Sequence, residues 1–520
     1  MLRTLPIKLA IAQALFASCA YPRLSHPAPD SFAFDRPEET YLGSRFEPKA
    51  TDHPGSSGLY LLSNGLDAFS ARVALINRAE RTLDAQYYIF HEDVTGKWLL
   101  SRLLAAADRG VRVRLLLDDL GSAGTDELIS RADAHPQLEV RLFNPFARGP
   151  WPGLARKLDI LSRPRRLNRR MHNKMLTADG AAAIVGGRNV GDEYFSANED
   201  IEFGDMDLLA FGPVNHDLGE CFDLYWNSEF VVPMSAWSSL RRDAGDLADL
   251  RAELAQHEVE HAESRYAERV QGSDFVQEAL MGDLALVWAE THTVADLPRK
   301  IVAKGDKVKQ TLLIERIKPY WPDSRTDLAI VSPYFIPRKA GVEELGRIVD
   351  GGGRVRVLTN SLAATDVPIV HSGYKDYRRA LVRRGVELHE LMPVSEAVEE
   401  GYRQGKLGSS NAALHTKTFV SDGQRIFVGS LNLDPRSVEL NTELGLVVES
   451  PELARQILAK VDRATQRDVS WTIALDDAGD VIWLGERAGG PLRLDTEPDT
   501  SWWLRCKVWM MGLLPIEGQL

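Results

Sequence analysis

His172-Asn173-Lys174-Met175-Leu176-Thr177-Ala178-Asp179-Gly180 decides the reading of this chain, because it returns as His415-Thr416-Lys417-Thr418-Phe419-Val420-Ser421-Asp422-Gly423, displaced by 243 positions. The same displacement carries Gly186 to Gly429, Gly187 to Ser430 and Asn189 to Asn432. It also lays Gly110-Val111-Arg112-Val113-Arg114 on Gly353-Arg354-Val355-Arg356-Val357. One offset shared by well-separated motifs means two copies of one structural unit.

Each copy alternates helix and strand. In the first, Phe69, Val73, Ile76 and Ala79 fall on one helical stripe. A strand over Leu83 to Phe90, a helix near Trp98 to Ala107 and a buried strand over Val111 to Leu117 follow. The second copy runs through Leu328 to Phe335, a helix near Val342 to Val349 and Val355 to Thr359. Buried strands alternating with helices predict an α/β fold with a mixed, mostly parallel sheet. Between the copies, residues 233–323 are charged and helical in pattern, which predicts a helical connector.

In a strand, residues two apart share a face, so His172 and Lys174 project side by side, as do His415 and Lys417. Asp179-Gly180 and Asp422-Gly423 read as tight turns into the apolar strands Ala182 to Val185 and Arg425 to Val428. Their position gives both Asp a structural role within the motif. The hairpins lead back to Gly186-Gly187-Arg188-Asn189 and Gly429-Ser430-Leu431-Asn432, where small residues admit a ligand and each Asn can donate to an anionic oxygen. Two units about a pseudo-two-fold axis would bring two His, two Lys and two Asn to one centre. Such a centre suits a phosphodiester. Each Lys offers a phosphate charge about 4 kcal/mol at 4 Å and intermediate dielectric. One His can attack phosphorus while the other protonates the leaving oxygen. Metal binding fits poorly, since no compact His/Cys/carboxylate set accompanies either copy.

The duplicated His-x-Lys-x4-Asp motif resembles the hallmark of the phospholipase D superfamily. Tyr87-Tyr88-Ile89-Phe90, the run Gly186 to Phe195, and Asp434-Pro435-Arg436-Ser437 with Asn441 and Glu443 are similar to its bacterial cardiolipin synthase branch. The resemblance covers the chain from about Gly58 onward. It implies two α/β/α units packed about a pseudo-two-fold axis with one shared active site. It further implies a phosphohistidine mechanism without metal or organic cofactor. In it His172 would be the nucleophile and His415 the acid and base, the reverse order staying open. Lys174, Lys417, Asn189 and Asn432 would hold the non-bridging oxygens. Each His would be oriented by a carboxylate, Glu443 for one and Asp207 for the other, with Asp205 the second choice. Phospholipids are the implied partners, phosphatidylglycerol or phosphatidylethanolamine, with hydrolysis to phosphatidic acid as the alternative to cardiolipin synthesis.

The 520 residues carry 62 basic and 74 acidic side chains, a net charge of −12. That surface disfavours a nucleic-acid phosphodiesterase. No apolar run reaches the roughly 20 residues of a membrane span. Residues 1–20 read as an export signal: Arg3 and Lys8 are followed by an apolar stretch and Leu15-Phe16-Ala17-Ser18-Cys19. This is similar to a bacterial lipobox, with Phe16 where Leu is usual. It predicts lipidation at Cys19 and anchoring to a membrane of the cell envelope, on the periplasmic side. A plain secretory signal or an uncleaved anchor is the competing reading. Residues 21–57 read as a flexible tether, 58–232 as the first unit, 324–470 as the second and 471–520 as a carboxy-terminal extension.

Three further features carry two readings each. Arg163, Arg165, Arg166, Arg169 and Arg170 either attract anionic headgroups or form a solvated loop. His371, Tyr374 and Tyr377 either reach the pocket or lie on a surface loop. Trp502, Trp503, Trp509, Met510, Met511, Leu513 and Leu514, interleaved with Arg505 and Lys507, suit either a bilayer interface or a helix docked on the core.

Overall fold

The computed structural model describes residues 28–122, 124–146, 159, 164–197, 202–237, 243–273, 275–276, 284–320, 326–393, 412–487, 489–513 and 518. Cys19, Arg163, Leu514 and the side chain of Arg165 fall outside that description.

The first half contributes β1 (Ser57–Leu62), β2 (Thr82–Tyr87), β3 (Arg112–Asp118), β4 (Leu138–Phe143), β5 (Met175–Ala178), β6 (Ala182–Gly186), β7 (Glu202–Gly204), β8 (Asp207–Phe211) and β9 (Val231–Pro233). After β10 (Val287–Ala295) come β11 (Asp327–Val331), β12 (Arg354–Asn360), β13 (Glu387–Leu391), β14 (Ala412–Leu414), β15 (Thr418–Ser421), β16 (Arg425–Gly429) and β17 (Leu444–Glu449). The chain closes with β18 (Ser470–Leu475), β19 (Val481–Arg487) and β20 (Gly490–Leu494). Strands β4, β3 and β2 pair in parallel, and β5, β6 and β8 continue the sheet antiparallel. The second unit repeats this order with β13, β12 and β11, then β15, β16 and β17.

Alternation along the inner strands explains how the halves join. Ala183 and Val185 of β6, Leu208 and Ala210 of β8, Ile426 and Val428 of β16, and Leu444, Leu446 and Val448 of β17 share one central core. Their neighbours Ile184 and Leu209 turn to an outer core in the first unit, and Phe427 and Val447 to another in the second. Strands buried on both faces read as unbroken apolar runs, which is what these segments are. The outer layer is helical. Asp93 caps helix Val94–Asp108 by accepting from Gly96 N at 2.9 Å, and Leu99, Leu100, Leu103 and Leu104 bury its inner stripe. Each such leucine contributes about 1.5–3 kcal/mol of burial.

The structure corrects four expectations. The 233–323 connector is not purely helical. Its strand β10 pairs through Val287–Ala289 with β1 and through Glu290–Ala295 with β17, so it stitches the two sheets together. The tether is not free over its length. Arg114 donates to Ser31 O at 2.7 Å, Arg141 to Pro29 O at 2.9 Å, and Ala33 N donates to Asp223 at 2.8 Å. A Pro- and Ser-rich stretch cannot bury a core of its own, yet its carbonyls satisfy buried guanidinium groups. The large sheet is mixed but not mostly parallel: among the described residues only β4–β3–β2 and β13–β12–β11 run parallel, and β18, paired antiparallel with β13, carries β19 and β20 outward in the same antiparallel sense. Finally, the repeat slips by one residue across the second parallel strand. Thr82 faces Arg112 and Asp327 faces Arg354, so Arg112 matches Arg354 rather than Val355. The left-handed turn glycines are accordingly Gly110 (φ 92°) and Gly352 (φ 86°). Among the described residues, Cys221 and Cys506 form no disulfide.

Candidate active site

Each His-x-Lys segment enters the site under backbone control. In the first unit Asp118, at the end of β3, accepts from Met171 N at 2.9 Å and Arg170 Nε at 2.8 Å. In the second, Asn360, at the end of β12, pairs its side-chain amide with both N and O of Leu414 at 2.9 Å. These two residues are equivalent and fix the chain just before each His. Beyond the lysines, β5–β6 and β15–β16 turn at Asp179-Gly180 and Asp422-Gly423, all in the left-handed region. The Asp179 carboxylate accepts from the amides of Glu80, Arg81 and Thr82 at 2.8–2.9 Å. Asp422 accepts from Thr326 N and Asp327 N at 2.7 and 3.0 Å. Both therefore close hairpins onto the start of the neighbouring strand, at the far end of β5 or β15 from the lysine.

The histidines are braced across the dimer-like axis. His172 N donates to Thr442 O at 2.9 Å, and its Nδ1 lies 2.9 Å from Glu443 Oε2. In mirror fashion His415 N donates to Gly204 O at 2.9 Å, and its Nδ1 lies 2.6 Å from Asp205 Oδ2. Each carboxylate follows the residue that receives the opposite unit's His amide. Asp207 is not the orienting carboxylate. It faces Gly186 across β6–β8 as Gly445 faces Gly429 across β16–β17, which places Asp205, two residues earlier, opposite Glu443 in the repeat. Asp207 instead binds Arg72 at 2.9 Å and Arg188 at 3.3 Å.

Lys174 donates to His172 O at 2.6 Å, and Lys417 likewise to His415 O. Asn189 accepts from Ile89 N at 3.2 Å and donates to Tyr194 Oη at 2.9 Å. Asn432 donates to Ser437 Oγ at 3.4 Å, and its buried Oδ1 has no hydrogen-bond partner among the described residues. An amide nitrogen carries two hydrogens, so each Asn keeps a donor in reserve. Tyr88 presents an edge to His172 and Tyr194 an edge to His415, both with ring centroids 5.2 Å apart.

Burial governs the electrostatics. It pushes His172 below the ordinary imidazole value, with Glu443 pulling back. It drives His415 well below that value, helped by the charges of Lys417, Lys174 and His172. Burial also lowers Lys417 to about 8 and takes Lys174 well below the usual ammonium value. Asp205 is raised by burial against the pull of Lys417 and Arg188. Burial would raise Glu443 too, but His172, Lys174 and the Ser430 hydroxyl together hold it below the usual carboxylate value. Each lysine, and His415, feels groups from the opposite copy, so the two motifs share one electrostatic site. Four groups that burial turns against protonation become favourable cations beside an anion, which is the chemistry of a phosphate pocket. With Nδ1 given to a carboxylate, reaction falls to Nε2 in each ring.

The remaining sequence candidates have other partners. Arg170 is buried on Asp118, Arg169 donates to Lys300 O at 2.9 Å, and Arg166 donates to Asn144 at 2.9 Å. These three serve the fold more than a headgroup. His371 lies 3.4 Å from Glu497 and Tyr374 donates to Glu390 at 2.7 Å, within a buried network around Arg378. Sequence reasoning passed over Asp118 and Asn360. The polar residue ending each buried strand was the available signal.

A duplicated α/β scaffold with two cross-braced His-x-Lys pairs defines the phospholipase D class of enzymes. The family model described as "Cardiolipin synthase, PLD-like domain" matches residues 73–205 and 322–465, and the chain belongs to that family. It is 44% identical over 480 residues to cardiolipin synthase C of Escherichia coli (strain K12), covering 92% of this chain and 99% of that protein. It is 27% identical to cardiolipin synthase A of Pseudomonas syringae pv. syringae (strain B728a), over 81% of this chain and 72% of that one. Among solved structures, phosphatidylserine synthase of Haemophilus influenzae Rd KW20 superposes with a TM-score of 0.55 at 13% identity. That likeness covers 91% of this chain and 99% of the other, and shows the shared fold.

Proposed function

We propose that this protein is a phosphatidyltransferase that forms cardiolipin through a phosphohistidine. His172 Nε2 attacks the phosphorus of a phospholipid donor, and the P–O bond to the departing alcohol breaks as His415 supplies its proton. His415 then takes the proton of an acceptor hydroxyl, that of phosphatidylglycerol, whose oxygen attacks the phosphohistidine and releases His172. Lys174, Lys417, Asn189 and Asn432 balance the non-bridging oxygens throughout. The observation that carries this reading is the reciprocal brace, Glu443 on His172 and Asp205 on His415, which holds both rings in a defined tautomer. Kinship with the two cardiolipin synthases supports the choice of lipid and acceptor.

No helix among the described residues is long and apolar enough to cross a membrane. The proposal places the protein at a bacterial envelope membrane through a lipid on Cys19, facing the periplasm. Mass spectrometry of the mature amino terminus tests that part. For the reaction, the purified protein is incubated with vesicles of phosphatidylglycerol and phosphatidylethanolamine and the lipids are analysed by mass spectrometry. Cardiolipin is expected; phosphatidic acid alone would make the protein a hydrolase, and unchanged lipid would overturn the proposal.

A further inference from the structure

The carboxy-terminal helix Trp502–Gly512 keeps its apolar side chains outside the protein. Val508 alone is buried, while Trp502, Trp503, Trp509, Met510 and neighbouring Leu513 are 56–75% exposed. By contrast, Trp226, Trp471 and Trp483 are packed away. Single exposed apolar residues need no explanation, but five within twelve positions do.

Where this helix sits gives the patch its meaning. It packs on helix Pro368–Tyr374, with Gly512 against Ser372 and Lys375. That supporting helix lines a cavity with Thr359 and Asn360, at the carboxyl end of β12. Asn360 holds the backbone of Leu414, next to His415. Just upstream, Asp366 accepts from Tyr334 and contributes to the field at Lys417. The Trp-rich helix is therefore one helix away from the reacting centre, on the end of the sheet where the histidines lie. Its approach is locked as well: Glu497 receives Arg378 Nη1 through a partly buried ion pair, five residues before the helix begins.

Charge points to the same partner. Residues 501–513 contain Arg505 and Lys507 and no acid, in a chain of net charge −12. A cationic, Trp-bearing face on an otherwise acidic protein matches an anionic bilayer interface, where indole sits at headgroup depth and basic side chains meet phosphate.

We infer that helix Trp502–Gly512 is a membrane-docking element that inserts its Trp, Met and Leu side chains into an anionic bilayer and brings the mouth of the catalytic site to the lipid surface. The choice of a bilayer as occupant rests on the lipid-transferring reading of the site, but the docking itself can be measured without turnover. The full chain and its Trp502→Ala/Trp503→Ala/Trp509→Ala variant are reconstituted into phosphatidylglycerol vesicles whose acyl chains carry bromine, a contact quencher of indole. The expected result is strong quenching in the parent and a clearly smaller quenched fraction in the variant. Turnover of vesicle lipid should fall about tenfold, the effect of losing one or two interfacial contacts. Turnover of a short-chain phosphatidylglycerol dissolved as monomers should stay unchanged, which also shows that the variant is folded. Equal quenched fractions would overturn the proposal. So would loss of a detergent-solubilised dimer in the variant without a change in quenching, which would make the patch a contact between copies. If neither protein turns over any lipid but quenching differs as expected, docking stands and the catalytic reading falls.

Discussion

The two halves of the site share a plan and differ in their walls. His172 meets a glutamate that is also bound by Ser430, whereas His415 meets an aspartate whose own carbonyl accepts from Arg188. Burial, with the charges of Lys417, Lys174 and His172, makes His415 the more strongly neutral imidazole, while Glu443 is held below the usual carboxylate value and burial raises Asp205. Both aromatic flanks, Tyr88 and Tyr194, come from the first unit. Their counterparts in the second are Pro333 and Ser437, and Arg188 is replaced by Leu431. Duplication supplied the reacting pairs, and divergence left the aromatic flank of each histidine to the first unit, Tyr88 at His172 and Tyr194 at His415. The two units therefore line one site with unlike side chains around like reacting groups.

The largest effect should come from removing either ring. His172→Ala and His415→Ala are each expected to lower turnover by about five orders of magnitude or more, as when one member of a catalytic unit is lost. Far-UV circular dichroism should show an unchanged fold. If the halves have the roles assigned, labelled phosphoenzyme is absent in His172→Ala and still forms, slowly, in His415→Ala. The opposite pattern would exchange the roles.

The braces should separate next. Asp205→Asn and Glu443→Gln leave each imidazole without its orienting charge, and kcat is expected to fall by about a thousandfold or more. Asp207→Asn should behave differently. It removes the counter-charge of two buried guanidinium groups, Arg72 and Arg188, and should cost about 3 kcal/mol of stability, read as a lowered denaturation midpoint. A catalytic collapse in Asp207→Asn with an unchanged midpoint would return the orienting role to Asp207.

Protonation gives a quieter test of the shared pocket. Burial lowers Lys417 to about 8, below the 10.5 of a free ammonium. At pH 9 it is mostly neutral, and an entering anion raises its affinity for a proton. Binding of inorganic phosphate at pH 9, followed calorimetrically in buffers of different ionisation enthalpy, should show net proton uptake. In Lys417→Met that uptake should shrink. The linked stability has the same sign. A lysine lowered in the folded state costs most below pH 8, and the cost fades as pH rises towards 10.5.

The smallest effect checks the register of the repeat. Gly352→Ala, like Gly110→Ala, forces an alanine into the left-handed region and should cost about 1–2 kcal/mol, although nothing obstructs the new methyl group. Gly353→Ala should be close to neutral, because Gly353 lies outside that region.

Much of the scaffold was legible because its signals are local. The Asp-Gly turns, the apolar strands and the helix stripe over Phe69 to Ala79 follow from short-range periodicity and turn chemistry. The one-residue slip over Arg112 was hidden because Gly-Val-Arg-Val-Arg matches itself in two phases, and only the sheet register selects one. Strand β10 escapes the apolar-run signal because Val287–Ala295 is largely half-buried, carries polar residues and pairs first with β1 and then with β17.

Amino-acid order alone settled that two His-x-Lys units exist and which chemistry their side chains can perform, since identity and spacing are covalent facts. Folding decided which carboxylate serves which ring. That pairing runs from Asp205 to His415 and from Glu443 to His172, across 210 and 271 positions. Contacts of that range depend on how two sheets pack through a common core, and no local pattern in the chain encodes them.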